Sequence, residues 1–519
     1  MEQTKPAAPP SSNGSDEDAI IAFLSDGADR IVETHAARIF LREGEALKTK
    51  RPVKYDYLDF STPDRRRSAL ARELELNARH APQIYRDLVP VTRDEAGTLA
   101  LAGKGAPVDW VLRMHRFPAE DELSSIAMRG RLDGALAERL GEVVARYHAT
   151  CPVREADGAT LIVEILDELD AAFGDMADML DEDMLADLRT RSRLSFGQLA
   201  PLLRRRARAG RVRRAHGDLH LRNIVMINGV PVPFDALEFD ETLGTCDVLY
   251  DLAFLLMDLL VQGLPLAANR TFNAWLGATR SMEDEQGLAA LPLFIAIRAA
   301  IRAMVDVQTA RLGGHQPQDA RRHLALALRA LETPPACLIA VGGLSGVGKT
   351  AVARALAPDL GPLPGAVHLS ADLERKAHFG VPPLHRLGDE AYTPEANAAV
   401  QARLHARAAR CLAAGHAVIL DTTHLDIANR AETEALARAA HVPFCGMWLT
   451  APPKTLHARI AARNGDASDA DARVLDMQLA RDPGPSDWTP IDAARELPRV
   501  LDTARRTAAA AICSHMPQP

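Results

Sequence analysis

The chain has 519 residues, 47% hydrophobic and 25% charged, with a formal net charge of −8. That is too long for a single core, so two or three domains are expected, and the composition excludes a disordered or fibrous chain. The acidic balance argues against a general nucleic-acid coat protein. Six scattered cysteines with no C-x-x-C pair argue against a zinc cluster or disulfide framework and point to reduced thiols in a cytoplasmic setting.

Residues 1–18 are polar and rich in Pro and Ser, as a disordered tail is, and lack a basic-then-apolar signal pattern. The first helix opens at Asp18. Residues 38–48 read as two short strands around a turn at Glu43-Gly44-Glu45, and a charge-rich helix follows over 63–80. Strand-like runs at 84–91, 98–101 and 110–114 precede a long helical region from Asp121. A small sheet with one helix, followed by a helical body, predicts an α+β domain of two lobes over 19–332.

Within that body the acidic run 164–188 and the seven arginines of 204–214 read as solvated faces pairing with neighbouring charges. The most apolar stretch, 248–264, carries Asp251 and Asp258. It is expected to be a buried helix, because a membrane span needs about 20 residues with few or no charges. Thr333-Pro334-Pro335 marks a stiff linker over 333–336. From 337 to 519 strand and helix patterns alternate, which predicts an α/β domain with a parallel sheet.

Two constellations carry chemistry. The first is His216-Gly217-Asp218 with Asn223 and, closing a strand, Asp235. This spacing suits phosphoryl transfer: Asp218 accepts the proton of an attacking hydroxyl, while Asn223 and Asp235 hold Mg²⁺ on the nucleotide phosphates. The second is Gly343-Leu344-Ser345-Gly346-Val347-Gly348-Lys349-Thr350, between an apolar strand at 338–341 and a helical pattern from Ala351. Every required position of G-x-x-x-x-G-K-[ST] is filled. Backbone N–H groups from Gly343, Ser345, Gly346, Val347 and Gly348 would curl around a phosphate, with Lys349 on the β/γ-phosphates and Thr350 on Mg²⁺.

The first constellation resembles the aminoglycoside phosphotransferase family, relatives of protein kinases that carry H-G-D-x-x-x-x-N in their catalytic loop. Only 216–251 is specific, including Tyr250-Asp251-Leu252-Ala253, similar to the family motif that anchors the catalytic loop from a buried helix. The resemblance implies an ATP-pairing lysine, Lys48 or alternatively Lys50, and an ion-pair partner on the 63–80 helix, Glu73 or alternatively Glu75. The loop near Gly44 departs from the kinase pattern by having a single glycine.

The C-terminal half resembles small P-loop kinases of the polynucleotide kinase and zeta toxin type, from 337 to about 482. That likeness implies a base at Asp372 and a substrate-contacting arginine at Arg375, in a D-x-x-R motif after the second strand. It also implies a Walker-B-like or substrate-contacting role for Asp421, and lid arginines at Arg459 and Arg463. Together the resemblances imply a fused ATP- and Mg²⁺-dependent, bifunctional phosphotransferase acting on small-molecule hydroxyls, or alternatively a P-loop kinase of small molecules or nucleic-acid ends regulated by a non-catalytic, ligand-binding kinase-like domain. Membrane partners are not expected and nucleic acid is disfavoured.

Overall fold

A computed structural model describes residues 14–34, 36–55, 58–176, 178–313, 316–462 and 467–514. Most of the tail expected over 1–18 lies outside them, and the first helix opens at Gly14 rather than Asp18, running to Ser25. The chain divides into two compact units, one ending at Leu132 and including Arg214–Cys246, the other comprising Asp133–Arg213 and everything from Asp247. Residues on both sides of the 333–336 linker therefore belong to the second unit.

The first unit is built on a six-stranded antiparallel sheet in the order Arg30–Glu33, Ala37–Arg42, Glu45–Lys50, Ala106–His115, Tyr85–Arg93 and Leu99–Leu101. Strand alternation assigns Leu47 to one face, where it packs with Phe40, Val91 and Val111 against Ile20 and Leu24 of the N-terminal helix. Ala46, with Leu112 and Met114, meets Leu70 of the helix Pro63–Ala78 on the other. Lys48 and Lys50 follow Ala46 at intervals of two and so share its face.

The turn at Glu43-Gly44 stands where the sequence places it, and the pairing register shows which end of the hairpin it closes. Ala37 lies opposite Lys50, and Arg42 opposite Glu45. Glu43-Gly44 therefore caps the end of the hairpin remote from the lysines, and the turn at the lysine end is the one between Arg30–Glu33 and Ala37–Arg42. There Thr34 N–H donates to the Ala37 carbonyl at 2.9 Å and Arg51 N–H to that of Ala36 at 2.8 Å. The single-glycine turn thus lies at the opposite end of the hairpin from Lys50. The sequence reading missed the strand Arg30–Glu33, whose four residues are mostly exposed and carry no alternating pattern.

The second unit joins a helical region to a five-stranded, wholly parallel sheet. Its strand order is Val367–Ser370, Val418–Asp421, Leu338–Gly342, Phe444–Thr450 and Thr489–Asp492. The central strand Leu338–Gly342 is buried at every residue, which is why it reads as a continuous apolar run. The helix Val248–Val261 is buried as expected. One helical segment, Met282–Arg311, is long and apolar enough to cross a membrane, and 72% of its most apolar window is buried inside the protein.

The arginine run corrects one expectation. Arg204, Arg205 and Arg208 are exposed, but Arg206 is only 2% exposed and binds both oxygens of Asp247 at 2.7 Å. Burial alone would lower its pKa, but Asp247 and Asp284 outweigh it and raise it. Asp247 also caps the helix Val248–Val261, so Arg206 fixes that helix start.

His416 is fully buried, with Nε2–H donating to the Leu288 carbonyl at 3.1 Å. Burial pushes its pKa down to about 4. Between that value and an unfolded value of about 6.5, only the unfolded chain binds this proton. The stability His416 supports is therefore complete above about pH 6.5 and falls by about 3 kcal/mol as pH drops towards 4. Urea unfolding at pH 7 and 4.5 should show His416→Gln losing less stability on acidification than wild type. Equal losses would contradict the assignment.

Candidate active sites

In the first unit, Lys48 Nζ lies 2.7 Å from Glu73 Oε1 and 2.7 Å from Asp235 Oδ1. Lys50 Nζ lies 2.8 Å from Glu73 Oε2 and 2.5 Å from Glu238 Oε1. The two lysines differ in their contacts: both touch Glu73, but only Lys48 also meets Asp235 among these ion pairs. Glu73 is completely buried, whereas the alternative, Glu75, is exposed and pairs with Arg72. Two residues apart on a helix is about 200° of rotation, so only one of the two can face the sheet.

Burial would depress the Lys48 ammonium, but Asp235 and Glu73 hold its pKa well above the usual value. Desolvation opposes Asp235, and Lys48 nevertheless lowers its pKa. Burial raises that of Glu238 in spite of Lys50. Asp235 has φ +59°, a left-handed conformation that aspartate adopts more readily than most non-glycine residues, and is held there by its neighbours. Its N–H donates to Tyr85 Oη at 3.0 Å, and the next N–H, of Ala236, donates to Asn77 Oδ1 at 2.9 Å. Asn77 and Glu73 lie on the same helix, so one helix positions both the ion pair and the loop of Asp235.

Asp218 and Asn223 are joined directly. Asn223 Nδ2 donates to Asp218 Oδ2 at 2.9 Å and to its carbonyl at 3.0 Å, which turns the amide oxygen away from Asp218. His216 is buried and bonds the Phe234 carbonyl through Nε2 at 2.9 Å, tying the loop of Asp218 to the segment after the strand Val230–Pro233, so Asp235 lies two residues beyond that strand and does not close it as the sequence suggested. Gly217 has φ +82°, and a Cβ there would lie 3.2 Å from Leu237 Cβ, so this turn requires glycine. In the second unit Asp251 is fully buried and 3.0 Å from His148 Nε2. Trp275 Nε1 donates to His148 Nδ1 at 3.0 Å, so the proton shared with Asp251 sits on Nε2.

The P-loop runs from the strand Leu338–Gly342 into the helix Lys349–Leu356. A Cβ on Gly343 would lie 2.5 Å from the Leu449 carbonyl oxygen, and one on Gly346 2.9 Å from that of Leu456. Lys349 Nζ donates to the Gly343 and Leu344 carbonyls, each at 3.1 Å. Thr350 Oγ1 donates to Asp421 Oδ2 at 2.7 Å, and His368 Nε2 lies 3.1 Å from the same oxygen. This pairing favours the Walker-B-like role for Asp421 over direct substrate contact. Desolvation raises the pKa of Asp372, and Asp421 adds to that rise. Desolvation opposes Asp421, but His368 and Lys349 lower its pKa. Two neighbouring carboxylates driven apart in this way suit one as proton acceptor and one as anion.

Arg375 is buried and turned aside: its guanidinium donates to the Ala391 carbonyl at 2.6 Å and sits 4.6 Å from the Tyr392 ring. Arg459 donates to the Val347 carbonyl at 3.0 Å and to that of Ala493 at 2.8 Å, so it braces the P-loop. Arg463 lies outside the described residues.

Three residues that the sequence reading missed also belong here. Gln478 Oε1 accepts the Ser345 N–H at 2.8 Å, at a position where a phosphate oxygen would bind. Asp469 accepts from Tyr392 Oη at 2.7 Å and pairs with Lys376, pinning the segment after the Asp372 helix. His424 is buried at φ +49°, and neither ring nitrogen has a hydrogen-bond partner among the described residues. None sits at a spacing that marks it in sequence, apart from His424, three residues after Asp421. Among the described residues no group of three or more His, Cys, Asp or Glu side chains could hold a metal ion, so an ion at either site would have to share its coordination with phosphate and water.

Residues 338–485 match the AAA domain family. Across nearly its whole length the chain is 30% identical, over 471 residues, to the uncharacterized protein Rv2004c of Mycobacterium tuberculosis and to the uncharacterized protein Mb2027c of Mycobacterium bovis. The match covers 88% of this chain and 90% of each relative. Among solved structures it is similar to a gluconokinase from Sinorhizobium meliloti 1021, 23% identical over 35% of this chain and 95% of that one, with a TM-score of 0.25. It is also similar to amicoumacin kinase hAmiN in complex with AMP-PNP, Ca2+ and Ami, 16% identical over 62% of this chain and 93% of that one, with a TM-score of 0.38. The chain belongs to the family of the mycobacterial protein Rv2004c, and its C-terminal part is a P-loop domain.

Proposed function

We propose that the chain is an ATP-dependent phosphotransferase with two sites, each acting on hydroxyl groups of small molecules. The observation that carries this is the P-loop with Thr350 hydrogen-bonded to Asp421 while the neighbouring Asp372 has a raised pKa. Thr350 and Asp421 are the residues that would hold Mg²⁺, which supplies charge neutralisation on the β- and γ-phosphates. Lys349 binds those phosphates, and Arg459 steadies the loop that cradles them. Asp372 takes the proton of the acceptor hydroxyl as its oxygen bonds to the γ-phosphorus and the bond to the ADP oxygen breaks. Arg375 contacts the acceptor once released from Ala391.

In the first unit Asp218 is the corresponding base. Asn223 and Asp235 are the oxygen donors for Mg²⁺, and Lys48, oriented by Glu73, meets the nucleotide phosphates. In a second reading this site binds a ligand without turnover and regulates the P-loop site, with the Lys48–Asp235 ion pair at 2.7 Å serving to hold the site together.

The P-loop assignment is tested by Asp372→Asn. Loss of a general base should slow transfer roughly 10²-fold or more while ATP affinity, measured by calorimetry, stays unchanged. Collapse of ATP affinity would instead make Asp372 a metal ligand.

A further inference from the structure

The acceptor side of the P-loop site is an arm of two elements, the edge strand Val367–Ser370 and the helix Ala371–His378, with Asp372 just past their junction. Both elements are fastened to the helical region that precedes the linker.

At the strand, the side chain of Asn273, on the helix Pro265–Thr279, stands in for a neighbouring strand. Its Oδ1 accepts the His368 N–H at 2.7 Å, and its Nδ2 donates to the Ala366 carbonyl at 3.1 Å. Asn269, one turn earlier and buried, donates to the Pro364 and Ala366 carbonyls at 3.2 and 3.1 Å. These bonds occupy backbone groups that an edge strand otherwise presents to solvent.

At the helix, Glu374 lies between Asp372 and Arg375 in the chain and is 2% exposed. Its Oε1 accepts from Arg403 at 2.6 Å and its Oε2 from Arg407 at 2.8 Å. Arg407 turns its Nε to Glu285 Oε1 at 2.6 Å, and Arg410 takes Glu285 Oε2 at 2.6 Å. Glu285 is 1% exposed, on the short helix Met282–Gly287 beside Asp284, which faces the buried Arg206. An unpaired carboxylate at that depth costs several kcal/mol, and guanidinium forks are directional, so this chain of charges fixes geometry.

We propose that Asn273, Glu285 and Arg407 are positioning residues of the P-loop site: the helical region forms the outer wall of the acceptor arm and aims Asp372 and Arg375. This rests on the assignment of Asp372 as base in the P-loop site. It makes acceptor chemistry, but not nucleotide binding, depend on residues outside the P-loop fold. Arg407 and Glu285 act through Glu374.

The test uses the full-length chain carrying Asp218→Asn, so that only the P-loop site turns over, with water as the acceptor of the γ-phosphoryl group. Glu285→Gln, Arg407→Met, Arg407→Lys and Asn273→Ala are compared. Amide hydrogen exchange over residues 371–378 should quicken about tenfold in Glu285→Gln and Arg407→Met, and by less in Arg407→Lys, which keeps the charge but not the fork. The kcat for ATP hydrolysis should fall about 10- to 100-fold in the same two variants, with affinity for Mg²⁺-AMP-PNP unchanged. Asn273→Ala should quicken exchange at His368. It also keeps the test decisive should Arg407→Met not fold. Unchanged exchange and unchanged kcat in folded Glu285→Gln and Asn273→Ala proteins would overturn the proposal. If Asp372→Asn left hydrolysis untouched while Glu285→Gln still loosened 371–378, the base assignment would fall and the positioning would stand.

Discussion

Lys349→Ala is expected to stop nucleotide turnover at the P-loop site while leaving the fold intact. The ammonium is the main side-chain charge available to the β- and γ-phosphates, and it donates to the Gly343 and Leu344 carbonyls at 3.1 Å. Those two bonds are modest, and the loop's shape is set instead by Gly343 and Gly346 pressed against the Leu449 and Leu456 carbonyls. Removing the side chain should therefore leave the melting temperature nearly unchanged. Turnover, by contrast, loses a preorganised positive charge where negative charge moves in the transition state. A fall of roughly 10³-fold is expected. Measured on the Asp218→Asn background, wild-type rates would overturn the assignment.

Asp218→Asn should act as strongly at the first site, for a different reason. Asparagine keeps an oxygen to accept from Asn223 Nδ2, so the loop geometry at 2.9 Å survives. What disappears is the base. Transfer at this site should slow by roughly two to four orders of magnitude, and Mg²⁺-ATP binding should persist because Lys48, Glu73 and Asp235 are untouched. Asp235→Asn separates the roles. It keeps an amide oxygen near Lys48 but removes the negative charge assigned to the ion, so metal-dependent nucleotide affinity should fall along with rate. If Asp218→Asn left transfer unchanged on a Lys349→Ala background, the regulatory reading of this unit would be preferred.

How much of this was legible in sequence depends on how local each signal is. The P-loop is one contiguous turn in which nearby carbonyls demand glycine at 343 and 346 and a positive φ favours it at 348, so eight residues carried it. The parallel sheet was legible because its central strand is buried on both faces and therefore uniformly apolar. The choice between Lys48 and Lys50 was not legible, since residues two apart on a strand share a face and both reach Glu73. Which turn stands at the lysine end was not legible either: the strand Arg30–Glu33 has no alternation to mark it, and only its pairing with Ala37–Arg42 shows it.

Long-range charges were the least legible. In sequence Arg206 is one of seven arginines in a run, and only the fold brings Asp247 and Asp284 around it. Glu374 sits inside the D-x-x-R motif, yet its partners lie on the helix Pro394–Ala413, and theirs before the linker. The proline-rich linker suggested a break that the second unit spans.

The most direct test of two phosphotransferase sites is transfer from γ-labelled ATP to a pool of hydroxyl-bearing metabolites. Wild type, Lys349→Ala, Asp218→Asn and the double variant would be compared in full-length protein. Each single variant should retain labelled products that the other loses, and the double variant should make none. Labelled products persisting in the double variant would contradict the account.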